Sequence, residues 1–349
     1  MKVDFQVPAQ ARQVGGLEKA IVRLGEALSE QGVDLAFNEV RPGSAVHFHG
    51  LWEPSFARLS RELRKQDRPY LVSPHGMLEP WAYAHKKWKK SIYFKLVEGR
   101  HLRGASAIIA TGELEAGHLE DRLPGNRIER ISFGAEPPPA GLEHKEARKN
   151  LGIQDDERLL LFLSRLDEKK GLNLLFDALR KLGRDKTSRW KVHVVGEGPM
   201  EEEWRRQAEQ QAEELPEIVW RGALWDDSKW TEIVAADLFC LPTHSENFGF
   251  AVQEALSVGT PCLTTTATPW VEHAAEAGLH LCDPVVASVA EALDTWSRGT
   301  PWLEANRCRL ASWTMETFDW DEVAKRYGEV YRRLSPRDEV FHPTGPVSE

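Results

Sequence analysis

"RLLLFLSRLDEKKGLNLLFDALRKL", from Arg158 to Leu182, decides the fold. Its first nine residues are almost continuously apolar, as expected of a parallel strand covered on both faces. "GLNLLFDALRKL" then reads as a helix, separated from the strand by a short charged turn. A buried strand, a turn and a helix make one β–α unit, and the rest of the chain repeats the unit on both sides.

Downstream, "WKVHVVGEG", "EIVWRGA", "DLFCLPT" and "TPCLTTT" read as strands, each followed or preceded by a helical stretch such as "EEEWRRQAEQQAEEL" or "GFAVQEALSVG". Upstream, "KVDFQV", "AVHFH", "PYLVSP", "ASAIIAT" and "IERISF" read as strands. "GGLEKAIVRLGEALSEQG", "SFARLSRELRKQ" and "ELEAGHLEDRL" read as helices. Between the two runs lies "GAEPPPAGLEHKE", Gly134 to Glu146, the clearest linker in the chain. Repeated β–α units predict parallel sheets with helices on both faces. The expectation is therefore an α/β protein of two Rossmann-like domains, 1–140 and 141–317, with a cleft between them. The last helix, 318–335, is amphipathic, and residues 336–349 are expected to be a flexible tail.

At 349 residues, 41% hydrophobic and 28% charged, a globular two-domain fold is the default. No segment is apolar for long enough to span a bilayer, and "MKVDFQVPAQ" lacks the layout of a signal peptide. The four cysteines form no C-x-x-C and read as small buried hydrophobes in a reducing compartment. The cytoplasm is the expected location. A net charge of −9 argues against general nucleic-acid binding. That charge is uneven: residues 1–144 are slightly basic, and the excess sits mainly in "HKKWKKSIYFKLVEGRHLRG", residues 85–104. Lysines mixed with Trp88, Tyr93 and Phe94 suit an anionic membrane surface, and equally a solvated helix face.

In open parallel sheets, ligands bind beyond the carboxyl ends of the strands. Arg165 and Lys170 follow the strand of the opening stretch, where two cations near a helix start suit a phosphate. Gly196 ends the strand of "VVGEGP", where glycine permits close backbone approach but is also the ordinary residue of a β–α turn. In "HSENFGFAVQEALSVGTPCL", His244 to Leu263, Glu246 lies in a loop and Phe248-Gly249-Phe250 opens a helix with free N–H groups. Glu254 follows in the second turn. Carboxylates bind vicinal hydroxyls well, having two acceptor oxygens and no donors. In the first half, Gly15 and Gly16 precede a helix. His47 and His49 share one strand face with Trp52 nearby, and suit contacts to acceptor hydroxyls. His75 and Gly76 follow another strand. No His, Cys or carboxylate cluster has metal-ligand spacing.

Taken together, "SENFGFAVQEALSVGTP" resembles the E-x7-E signature of family 4 retaining glycosyltransferases. "SRLDEKKGLNLLFDAL" resembles that family's Arg-Leu-x-x-x-Lys-Gly stretch, and "VVGEGP" is similar to its Gly-x-Gly-Pro turn. All three fall in the family's order, and the resemblance covers nearly the whole chain. It implies the GT-B fold and a UDP- or GDP-sugar donor held mainly by the second domain. It implies that Arg165 and Lys170 hold the diphosphate, Glu254 the ribose and Glu246 the donor sugar. The stretch Asn247, Phe248, Gly249 and Phe250 would offer backbone N–H groups, and Gly15, Gly16 and Gly196 would line the same site. His75 would reach the donor sugar. The catalytic set would then be His75, Glu246, Arg165 and Lys170, with no metal or cofactor required. "SPHGMLEPWAYAHKKWKK" resembles enzymes that build bacterial surface polysaccharides on glycan or lipid-linked acceptors. Phe133-Gly134 stands where the family has Asn-Gly, and the usual His-Glu is absent from "QGVDLAF". A nucleotide-sugar epimerase, a glycan phosphorylase or a non-catalytic sugar-nucleotide-binding protein on the same fold are the alternatives.

Overall fold

The computed structural model describes residues 1–8, 15–84, 87–225, 227–299 and 304–334. The expected tail, 336–349, lies outside them. Six parallel strands build the first sheet: β1 (Lys2–Gln6), β2 (Asp34–Phe37), β3 (Ala45–His49), β4 (Tyr70–Ser73), β5 (Ala107–Ala110) and β6 (Ile128–Arg130), in the order β2-β1-β3-β4-β5-β6. Six more build the second: β7 (Arg158–Leu163), β8 (Trp190–Val195), β9 (Glu217–Gly222), β10 (Leu238–Leu241), β11 (Cys262–Thr265) and β12 (His280–Cys282), in the order β12-β11-β10-β7-β8-β9. That second order is the doubly wound one, and its direction reverses between β7 and β10. Those two strands pair through Leu238 with Leu160 and Phe239 with Leu161. The crevice beyond their carboxyl ends is where a ligand belongs.

The central strands are apolar because both faces are covered. Leu159, Leu160, Leu161 and Phe162 of β7 are all fully buried, as are Leu238, Phe239 and Cys240 of β10. Ten of the twelve strands match the sequence expectation. β2 and β12, both on sheet edges, were not anticipated. Each is only four or three residues long and partly exposed, so neither carries the apolar run that marks a central strand. Cys240, Cys262 and Cys282 are buried as expected, whereas Cys308 is exposed on a helix.

The last helix, Trp320–Leu334, returns to the first domain and packs on the helix Gly15–Glu30. The crossing is fixed at Gly134. A β-carbon there would lie 2.2 Å from the Trp320 ring, and the Ala135 N–H donates to the Phe318 carbonyl at 2.7 Å. Tyr331 of this helix bonds His47 Nδ1 at 2.8 Å inside the first domain. Both halves therefore share one buried core through Phe133, Phe248 and Trp320.

Candidate active site

Three loops at the carboxyl ends of β7, β8 and β10 pack backbone against backbone, and glycine makes this possible. A β-carbon on Gly196, at φ +133°, would lie 1.9 Å from the Ser164 carbonyl oxygen. One on Gly171, at φ +73°, would lie 2.1 Å from the Pro242 carbonyl oxygen. Gly196 thus has a reason to be glycine that involves no ligand. Thr243 ties two of the loops together, its hydroxyl donating to the Lys169 carbonyl at 2.9 Å.

On this platform Lys170 Nζ forms an ion pair with Glu246 Oε1, with both side chains largely buried. The Glu246 N–H donates to the Ala267 carbonyl at 3.0 Å, fixing the loop. Arg165 stands apart: its side chain is 68% exposed and, among the described residues, forms an ion pair only with Asp167, at 3.8 Å. The helix Phe250–Ser257 starts from Gly249 in the left-handed region, at φ +83°. Its first N–H groups face the same crevice end. Glu254 is half-buried and paired with Lys229 at 2.8 Å. The result is an exposed guanidinium, an ammonium and a helix N-terminus on one side, with two carboxylates alongside.

The first domain closes against these loops. Gly76 meets Asn247, where a β-carbon would come within 2.6 Å. Thr111 Oγ1 lies 3.3 Å from the Asn247 side chain. Gly16 packs on the Phe250 ring, and Trp81 stacks on His244 with ring centres 5.0 Å apart. Gly15 opens its helix beside Gly16. His75 adopts φ +52°, unusual for a residue with a side chain. Its ring stacks on Phe133, and its Nε2 lies 3.1 Å from His49 Nδ1. Burial holds the His75 imidazole at a pKa of about 3, so the ring is neutral; among the described residues its Nδ1 meets no hydrogen-bond partner.

The expected acceptor contacts divide here. His47 is fully buried and both ring nitrogens are engaged, with Tyr331 and with Ser73 Oγ at 2.8 Å. It is therefore a core residue and not an acceptor contact. Period-two alternation does place His47 and His49 on one face, their rings 4.1 Å apart, but that face looks inward. His49 serves His75 from below. Trp52 is half-buried among Tyr83 and Tyr93, with Lys90 Nζ 5.6 Å from its ring centre.

Sequence reading passed over a buried cluster beside these groups. Glu79 Oε2 accepts from His118 Nδ1 at 2.8 Å. Glu115 is buried nearby and accepts from Gly76 N–H, Thr111 N–H and Thr111 Oγ1. Burial pushes the Glu79 carboxyl up to about 7, against the opposing pull of His118 and Lys169. The only signal in the sequence was a carboxylate in the turn "SPHGMLEPW", an unremarkable feature without its distant partners.

A groove of about 720 Å³ lies at the opposite, amino-terminal ends of the central strands of the second sheet, lined by Arg148, Arg158, Asp237 and Arg307. Arg148 and Asp237 pair there at 2.6 Å, and Asp237 caps the Leu159 N–H. These contacts brace the amino ends of β7 and β10, so we place the site at the carboxyl ends, where the exposed Arg165 guanidinium and a helix N-terminus are.

Two Rossmann-like domains facing each other across these loops define a GT-B protein. Residues 143–309 match the model of glycosyl transferases group 1, and residues 3–134 that of the glycosyl transferase 4-like domain. The chain belongs to the family 4-like glycosyltransferases. It is 28% identical to the alpha-monoglucosyldiacylglycerol synthase of Streptococcus pneumoniae over 61% of this chain and 48% of that one. It is 24% identical to a GDP-mannose:cellobiosyl-diphosphopolyprenol alpha-mannosyltransferase of Xanthomonas campestris over 84% of this chain and 74% of that one. The chain spans about half the length of most of the curated relatives it matches. Anabaena HepE, solved in complex with UDP-glucose, superposes with a TM-score of 0.72 at 17% identity, over 95% of this chain and all of that one.

Proposed function

We propose that the chain is a retaining glycosyltransferase. It moves a sugar from a UDP- or GDP-sugar to a glycan or lipid-linked acceptor in cell-surface polysaccharide synthesis. The observation that carries this reading is the buried Lys170–Glu246 pair at the β7–β10 crevice, together with an exposed Arg165 on the loop that follows β7. Arg165, Lys170 and the N–H groups ahead of Phe250 neutralise the charge that develops on the departing diphosphate. Glu246 accepts hydrogen bonds from the sugar, and Glu254 from the ribose. The neutral His75 offers Nδ1 to the sugar from the first domain. The bond from the anomeric carbon to the diphosphate oxygen breaks, and its electron pair leaves with the diphosphate. The acceptor oxygen bonds to that carbon on the same face, and its proton passes to the diphosphate. No side chain becomes a covalent nucleophile, and the reading requires no metal. A structural neighbour solved with UDP-glucose and relatives named for GDP-mannose and diacylglycerol support the substrate class.

Incubation with a panel of nucleotide sugars and lipid-linked acceptors, followed by NMR of the product, tests the reading. The expected product keeps the donor's anomeric configuration. An inverted product removes the same-face mechanism, and free sugar phosphate favours a phosphorylase.

Among the described residues no helix is long and apolar enough to cross a membrane. Trp88, Ile92 and Leu96, spaced four apart, nevertheless stand more than half exposed on one side of the segment 87–98. Lys87, Lys89 and Lys95 flank them, also exposed. Phe94 and Glu98 occupy the buried side. We propose that this face rests on anionic lipid at the inner face of the cytoplasmic membrane, presenting the cleft to a lipid-linked acceptor. Vesicles containing phosphatidylglycerol are expected to carry the wild type on flotation and to lose a Trp88→Ala, Lys89→Glu, Leu96→Ala variant. Equal flotation of both would rule the surface out.

A further inference from the structure

Glu79 sits at the seam between the domains. Three residues before it, Gly76 touches Asn247, and two residues after it, Trp81 stacks on His244. Asn247 and His244 bracket Glu246. The turn carrying Glu79 therefore runs along the very loop that carries Glu246. Glu79 is only 5% exposed. Its Oε2 is held by His118, while its Oε1 is buried and has no hydrogen-bond partner among the described residues. A buried carboxyl oxygen left unpaired costs free energy unless something else binds it. Glu115 is fully satisfied by Gly76 and Thr111, so it does not fill that role. Lys169 lies on the facing loop and is drawn electrostatically to both Glu79 and Glu246.

We propose that Glu79, oriented by His118, binds a hydroxyl of the transferred sugar from the first-domain side. The sugar would then be gripped by Glu246 of one domain and Glu79 of the other. This rests on the donor-site reading above. It makes Glu79 a specificity residue for the sugar and leaves the nucleotide untouched. His118 is a positioning residue, acting only through Glu79.

The test separates sugar from nucleotide. UDP, GDP and ADP, and the glucose and mannose conjugates of each, are titrated by calorimetry into the wild type, Glu79→Gln, Glu79→Ala and His118→Ala. The glutamine variant keeps the shape of the side chain, so it guards against misfolding. Affinity for the bare nucleoside diphosphate is expected to stay within about twofold of wild type in all variants. Affinity for the nucleotide sugar should fall on the order of ten- to a hundredfold in Glu79→Ala, the size of one lost hydrogen bond to a charged group. His118→Ala should show a smaller loss, and Glu79→Gln should change the preference between the two sugars. Unchanged nucleotide-sugar affinity in Glu79→Ala would overturn the proposal while leaving the donor site standing. So would an equal loss for nucleotide and nucleotide sugar. Failure of the wild type to bind any nucleotide would overturn both.

Discussion

Arg165→Ala is expected to cut turnover on the order of a hundred- to a thousandfold while leaving the fold intact. The side chain is two-thirds exposed, and its ionic contact with Asp167 is a loose 3.8 Å. Removing it leaves no cavity and no buried unpaired group, so stability should change by less than about 0.5 kcal/mol. A guanidinium in the open beside a buried ion pair has little to do for the folded chain alone. Its chemistry fits a diphosphate, which it can bind through two parallel N–H bonds. Arg165→Lys should recover only part of the loss, since an ammonium keeps the charge and loses the fork. Circular dichroism and steady-state kinetics on the three proteins check this together. Full turnover in the alanine variant would remove the phosphate role.

Gly196→Ala is expected to do the reverse, damaging stability first. The residue combines φ +133° with a β-carbon position 1.9 Å from the Ser164 carbonyl oxygen. Neither the backbone angle nor the carbonyl, which belongs to the β7 loop, can move cheaply. The cost should be about 3–4 kcal/mol, which lowers the melting temperature by roughly 8–15 °C in a domain of this size. Any loss of activity should follow from displacement of Arg165, whose backbone adjoins Ser164. Thermal unfolding of the two proteins checks it. An unchanged melting temperature would mean that the loops do not pack as described.

These two residues illustrate how far the sequence could be read. The alternation of apolar runs and helices revealed two Rossmann-like halves because parallel strands covered on both faces have a strong pattern. β2 and β12 escaped because edge strands need no such pattern. The strand ends led to Arg165, Lys170 and Glu246, since a doubly wound sheet puts its ligand there. The same logic placed His47 and His49 on one face, but period-two alternation does not say which face is covered. The Trp320–Leu334 helix, almost three hundred residues later, covers it and captures His47 through Tyr331. Phe133 looked like a departure at a position where the family carries asparagine. In the structure its ring fills the seam between His75, Phe248 and Phe250. Glu79 was illegible for a related reason. Its burial and its partner come from His118, 39 residues away, and from the opposite domain.

The most direct test of the account is a calorimetric titration of UDP-, GDP- and ADP-sugars into the wild type and into Glu254→Ala. The account predicts saturable binding of one nucleotide class at one site per chain. It also predicts that affinity falls about tenfold when Glu254 no longer holds the ribose hydroxyls. Binding that ignores Glu254, or no binding by any nucleotide sugar, would contradict a donor site at the β7–β10 crevice.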